Sequence, residues 1–126
     1  ELERLARLQS LCPDDFDLFS GDDASACEFM LCGGHGDISV TANVAPRLMA
    51  QMCKAALSGR RDEAFAINER LDPLHRELFV QSNPITVKWA VAEMGPSPPG
   101  IRLPLTWLSE EAQPPVRAAM QQAGII

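Results

Sequence analysis

Two short phrases carry the residue types suited to holding a small ligand: Ser20-Gly21-Asp22-Asp23 and Thr41-Ala42-Asn43-Val44. Each follows an apolar run with the signature of a strand, and the C-terminal ends of parallel strands are where α/β-barrels gather their sites. Lacking a Cβ, Gly21 would let a substrate approach the main chain closely; it would equally suit a tight turn, with the aspartates capping a helix. The Gly-Asp-Asp triplet also matches metal-binding aspartates of polymerases, but three residues in an acidic chain have little specificity. Gly33-Gly34-His35-Gly36 has the glycines of a phosphate cradle, yet it precedes a strand. No helix N-terminus would point at the anion, so it reads as a helix stop and strand entry. Asp14, Asp15 and Asp17 read as a solvated loop.

Other reactive groups are sparse. Cys12, Cys27, Cys32 and Cys53 include no CxxC pair and read as buried thiols rather than disulfides or metal ligands. His35 and His75 stand far apart without an HxH or HxxxH partner, so no metal site is expected. No cofactor is expected either. Trp89 and Trp107 read as core or interface anchors. A net charge of −6 opposes nucleic-acid binding. No apolar run approaches the roughly 20 residues that span a bilayer, and the opening Glu1-Leu2-Glu3-Arg4 has no signal-peptide pattern. No membrane association and a cytoplasmic location are expected.

The elements that must position these residues follow from periodicity. Leu2, Leu5, Leu8 and Leu11 mark one side of a helix that no capping residue precedes, which, with the missing initiator Met, suggests upstream sequence. Phe16 to Phe19 reads as a strand, residues 24–32 as a helix capped by Asp22 or Asp23 and stopped by Gly33-Gly34, and Ile38 to Thr41 as a second strand. Strand, helix, strand is the parallel βαβ unit. Pro46 opens a third helix with Leu48, Met49, Met52, Cys53 and Ala56 as its apolar stripe. Beyond Ser58 the pattern is helical. Ala64, Ile67, Leu71, Leu74 and Leu78 give the clearest amphipathic spacing, although Pro73 should kink or divide that helix. Asn83-Pro84 should cap and start the next, with Val87, Ala90, Val91 and Met94 on one face, and Pro114-Pro115 should open the last, which ends at Gly124.

Two short parallel strands cannot form a stable sheet alone, because parallel sheets need covered faces and further neighbours. The fold expected is α/β: the C-terminal part of a TIM (β/α)8 barrel, its last two βα units in residues 1–58, followed by a C-terminal helical domain in residues 59–126. Such barrels take about 250 residues.

At the level of whole phrases the chain resembles the dihydrodipicolinate synthase family, within the pyruvate-dependent class I aldolases and lyases. The resemblance is carried by FSGDDA at 19–24, GGHGDISVTAN at 33–43, VAPRLM at 44–49, NPITVKWA at 83–90 and IRLPLT at 101–106. It implies condensation of pyruvate with L-aspartate 4-semialdehyde to 4-hydroxy-tetrahydrodipicolinate, on the route to diaminopimelate and lysine. In the family a barrel-strand lysine forms a Schiff base with pyruvate, giving an enamine nucleophile; a tyrosine relays protons and an arginine holds the aldehyde's carboxylate. This chain has no tyrosine, and its two lysines, Lys54 and Lys88, fall on expected helices. The resemblance places the Schiff-base strand just before Glu1, so no catalytic residue is expected here and the segment alone should be inactive. Ile38 matches the strand position whose backbone contacts pyruvate, and Gly21 matches a glycine lining that pocket. Asp22 and Asp23 would shape the rim, Asp23 capping a helix rather than reacting. The implied partners are the two substrates, the upstream barrel strands of the same polypeptide, and other copies in a homo-oligomer, a homotetramer by the same resemblance. Asp37 departs from the pattern, standing where the family has an apolar residue. Related sialic acid or keto-deoxy-sugar lyases, and a non-catalytic truncated remnant acting as an interaction module, are the alternatives.

Overall fold

The computed structural model describes residues 2–126; Glu1, at the expected uncapped start of the first helix, lies outside them. Helix α1 (Leu2–Leu11) follows the leucine spacing, but only Leu5 is buried, and Leu11 faces solvent. After the Pro13 turn comes β1 (Phe19–Ser20), shorter than the strand expected from Phe16. Phe16 is exposed and its N–H is spent on the carbonyl of Pro13 at 3.0 Å, so the chain is still turning there.

Helix α2 (Asp23–Leu31) is capped by Asp22, whose carboxylate accepts from the Ser25 N–H at 3.2 Å and the Ser25 hydroxyl at 2.5 Å. It ends where Gly33 adopts φ +96°, a conformation that favours glycine. Strand β2 (Gly36–Asp37) lies parallel to β1, with Phe19 opposite Gly36 and Ser20 opposite Asp37. The second strand was expected over Ile38 to Thr41; pairing stops at Asp37, and Thr41–Asn43 forms a 3₁₀ turn. The amides of Val40 and Thr41, which a longer ladder would have used, instead donate to the carboxylate of Asp23.

Helix α3 (Pro46–Leu57) has Pro46 at its first position and buries Met49, Met52, Ala55 and Ala56. Helix α4 (Arg61–Glu77) packs against α3, α2 and the last helix and supplies Ala64, Leu71 and Leu74 to the core. It is continuous through Pro73, so the expected division does not occur. The carbonyl that Pro73 leaves without its helical donor belongs to Glu69, an exposed residue. Helix α5 (Ile85–Glu93) begins after Asn83-Pro84, but its cap position is Pro84 and no side chain caps it. Trp89 on this helix is buried, with the Arg117 guanidinium 5.1 Å from its ring. Helix α6 (Gln113–Gln122) buries Val116, Ala119 and Met120 as its spacing predicts.

The sheet contains two strands among the described residues, so each has one unpaired flank. Side chains alternate across it. Ser20 is buried and Asp37 half-buried on the face covered by helices, whereas Phe19 and Ile38, on the other face, are 53% and 73% exposed. In a closed barrel that second face is the interior.

Candidate functional site at the ends of the two strands

Carrying the register one residue beyond Ser20 and Asp37 puts Gly21 opposite Ile38, and the Ile38 N–H donates to the carbonyl of Ser20 at 2.8 Å. The two residues expected to contact substrate therefore stand side by side at the C-terminal ends of adjacent parallel strands. Gly21 is not among the glycines with positive φ, and a Cβ built on it meets no atom within 4 Å. Its backbone does not demand glycine, and the space a side chain would fill is open. The two residues open onto different clefts. Ile38 lines one of about 470 Å³ that reaches Asn83 and Lys88, while Gly21 lines one of about 380 Å³ beside Arg4 and Leu8 of α1.

What holds this rim is Asp23, which is 2% exposed. Its carboxylate accepts from the N–H groups of Val40 and Thr41, each at 3.0 Å, and from the hydroxyl of Ser39. The Ser39 oxygen in turn accepts from the Ala42 N–H at 2.8 Å. One carboxylate thus fixes the loop that leaves Ile38; Asp23 shapes the rim by these bonds and not by capping the helix, which Asp22 does. A second tie runs to the helical layer. Thr41 Oγ1 lies 2.9 Å from Nδ1 of buried His75 on α4. Burial lowers the His75 pKa, overcoming the raising effects of Asp23, Asp72 and Asp22, so the ring is neutral at pH 7. His35 is structural too: its Nδ1 accepts from the Leu18 N–H at 2.9 Å, fastening the entry to the sheet.

Asp37 faces the helical layer, and neither of its oxygens has a hydrogen-bond donor among the described residues. Burial first, then the charge of Asp23, a shared hydrogen bond with Asp23 and the charge of Asp22, raise its pKa to about 7, against a smaller lowering by the Ile38 backbone. A proton on Asp37 gives the two carboxyls a hydrogen bond; removing it leaves two facing charges. Because the folded pKa lies above the unfolded value of 3.8, the penalty is absent in acid, grows as pH rises and is complete above about 7. Asp37→Asn in the intact protein should therefore raise the unfolding free energy at pH 8 by about 1–2 kcal/mol, partial solvent access limiting the gain. Thermal melts from pH 8 down to pH 5 should show the gain shrinking; a gain independent of pH would exclude the carboxylate as its cause.

Neither lysine lies on a strand: Lys54 is exposed on α3 and Lys88 half-buried on α5. The strand ends thus offer a bare backbone edge and an apolar side chain, and neither strand itself carries a lysine. A protein-family model described as the dihydrodipicolinate synthetase family matches residues 1–123. The chain belongs to the dihydrodipicolinate synthetase family. Within it, the chain is 62% identical over all 126 residues to a 4-hydroxy-tetrahydrodipicolinate synthase of Methylococcus capsulatus, and 59% identical over 125 residues to one of Alcanivorax borkumensis. It spans 43% and 42% of those relatives. The crystal structure of chloride-inhibited dihydrodipicolinate synthase from Acinetobacter baumannii, complexed with pyruvate, superposes on the whole chain with a TM-score of 0.96 at 44% identity, the chain covering 43% of it. A family structure from Aquifex aeolicus gives 0.94 at 33% identity. The α/β architecture described above is accordingly the C-terminal part of the family's barrel with its helical extension.

Proposed function

We propose that the polypeptide to which these residues belong condenses pyruvate with L-aspartate 4-semialdehyde to 4-hydroxy-tetrahydrodipicolinate through a Schiff base. The observation that carries this reading is the 62% identity, over all 126 residues, to a 4-hydroxy-tetrahydrodipicolinate synthase. In it, Gly21 and Ile38 line the pyruvate pocket, Asp23 positions the loop behind Ile38, and the amine and proton-relaying groups come from barrel strands outside these residues. A lysine amine adds to the pyruvate ketone with loss of water, the methyl group gives up a proton, and the resulting enamine carbon bonds to the aldehyde carbon. Residues 1–58 act as the last βα units and 59–126 as the helical domain. Following the family resemblance, we also read the protein as a cytoplasmic homo-oligomer. No helix among the described residues is long and apolar enough to cross a membrane.

Borohydride trapping tests the proposal. The intact protein incubated with pyruvate and borohydride should gain a reduced pyruvyl adduct by mass spectrometry, and turnover should require aspartate semialdehyde. Turnover of sialic or keto-deoxy-sugar acids instead would reassign the second substrate, and absence of any adduct would remove the reading.

A further inference from the structure

Between the strand ends and α5, the cleft beside Ile38 has an apolar wall that includes Val40 and Val87, and polar groups from Asn83 and Lys88. A second cleft, of about 510 Å³, shares Pro84 and Lys88 with it and extends to Arg102. The two form a path from solvent past Arg102 and Lys88 to Ile38. Among the described residues neither cation lies within 4.0 Å of a carboxylate, whereas Arg60, Arg76 and Arg117 are each paired with one. In a chain of net charge −6, two unpaired cations along one path leave it locally positive, and low-dielectric walls focus that field. Lys88 is half-buried and lines both clefts.

We propose that Lys88, assisted by Arg102, collects and orients the carboxylate of an anionic keto or aldehyde acid on its way to Ile38. This rests on the reading of Ile38 as a pyruvate contact. Lys88 is a binding residue here, with no covalent part in the reaction. A charge that holds ground state and transition state alike changes KM and leaves kcat.

The test is steady-state kinetics of the intact protein with pyruvate and L-aspartate 4-semialdehyde at about 20 mM and about 300 mM salt. Lys88→Gln should raise KM for at least one substrate about five- to tenfold at low salt while kcat stays within about twofold. Arg102→Gln should raise it about two- to threefold, and Lys88→Arg should keep it near the parent value. High salt should compress these differences, because the parent loses its attraction and the variants have little to lose. Lys54→Gln, an exposed cation outside both clefts, should change nothing. An unchanged low-salt KM in Lys88→Gln, or an equal rise in Lys54→Gln, would overturn the inference. Borohydride trapping of pyruvate separates the two levels. An adduct in the parent with no KM change in Lys88→Gln defeats the cationic path alone; no adduct in the parent defeats the site and the path together.

Discussion

Asp23→Ala in the intact protein should lower the unfolding free energy by about 3–5 kcal/mol and reduce kcat/KM at least about tenfold. The side chain is buried, and its two oxygens satisfy the N–H groups of Val40 and Thr41 and the hydroxyl of Ser39. Truncation leaves three donors in a space sized for a carboxylate, each unsatisfied group costing about 1–3 kcal/mol less whatever water recovers. Asp22→Ala is the matched control. It removes a cap from the same helix, worth about 1 kcal/mol, and leaves the loop after Ile38 tied down. Asp23→Asn keeps one acceptor but turns an amide group toward donors, so it should fall between the two. Denaturant unfolding and pyruvate trapping on the three variants decide the matter. A positioning role predicts that Asp23→Asn raises the pyruvate KM even where the protein remains fully folded. Equal losses in Asp22→Ala and Asp23→Ala would reduce Asp23 to one more residue at a helix start.

This clamp also explains which parts of the molecule could be read from sequence. Helices α3, α4 and α6 obey the spacing of their apolar residues because each buries one face against a neighbour, and that requirement is written locally. Ile38-Ser39-Val40-Thr41 has the alternation and β-branching of a strand, yet only its first amide joins the sheet. The bonds that turn it away come from Asp23, well upstream in sequence, and nothing within the run announces them. Adjacent aspartates at a helix start pose the same difficulty. Local chemistry permits either to cap, and the fold gives the cap to Asp22 and the loop to Asp23. His75 has no second histidine near it in sequence, and its partner is the Thr41 hydroxyl, which only the packing of α4 in the fold brings to it. Asn83 reads as a cap from its place before Pro84; instead it borders the cleft. Gly21 stands out by its place after a strand, Ile38 only through resemblance, and the parallel register puts the two side by side.

Gly21→Val should abolish pyruvate trapping, with a loss of about a hundredfold or more in kcat/KM, while the melting temperature stays within a few degrees of the parent. The two halves of that expectation rest on separate observations. Stability is spared because Gly21 does not have a positive φ and its built Cβ meets nothing within 4 Å. Activity is lost, on the proposed reading, because the added isopropyl group lies on the same sheet face as Ile38 and fills the open space beside the Gly21 backbone. Gly21→Ala should sit between, admitting the acid at a reduced rate. A glycine kept for turn geometry would behave the other way, with a large fall in melting temperature and catalysis failing only as far as the fold does. Measuring both quantities on the same preparations therefore distinguishes space reserved for a substrate from freedom reserved for a backbone. Wild-type trapping in a fully folded Gly21→Val protein would move the pyruvate pocket away from these strand ends altogether.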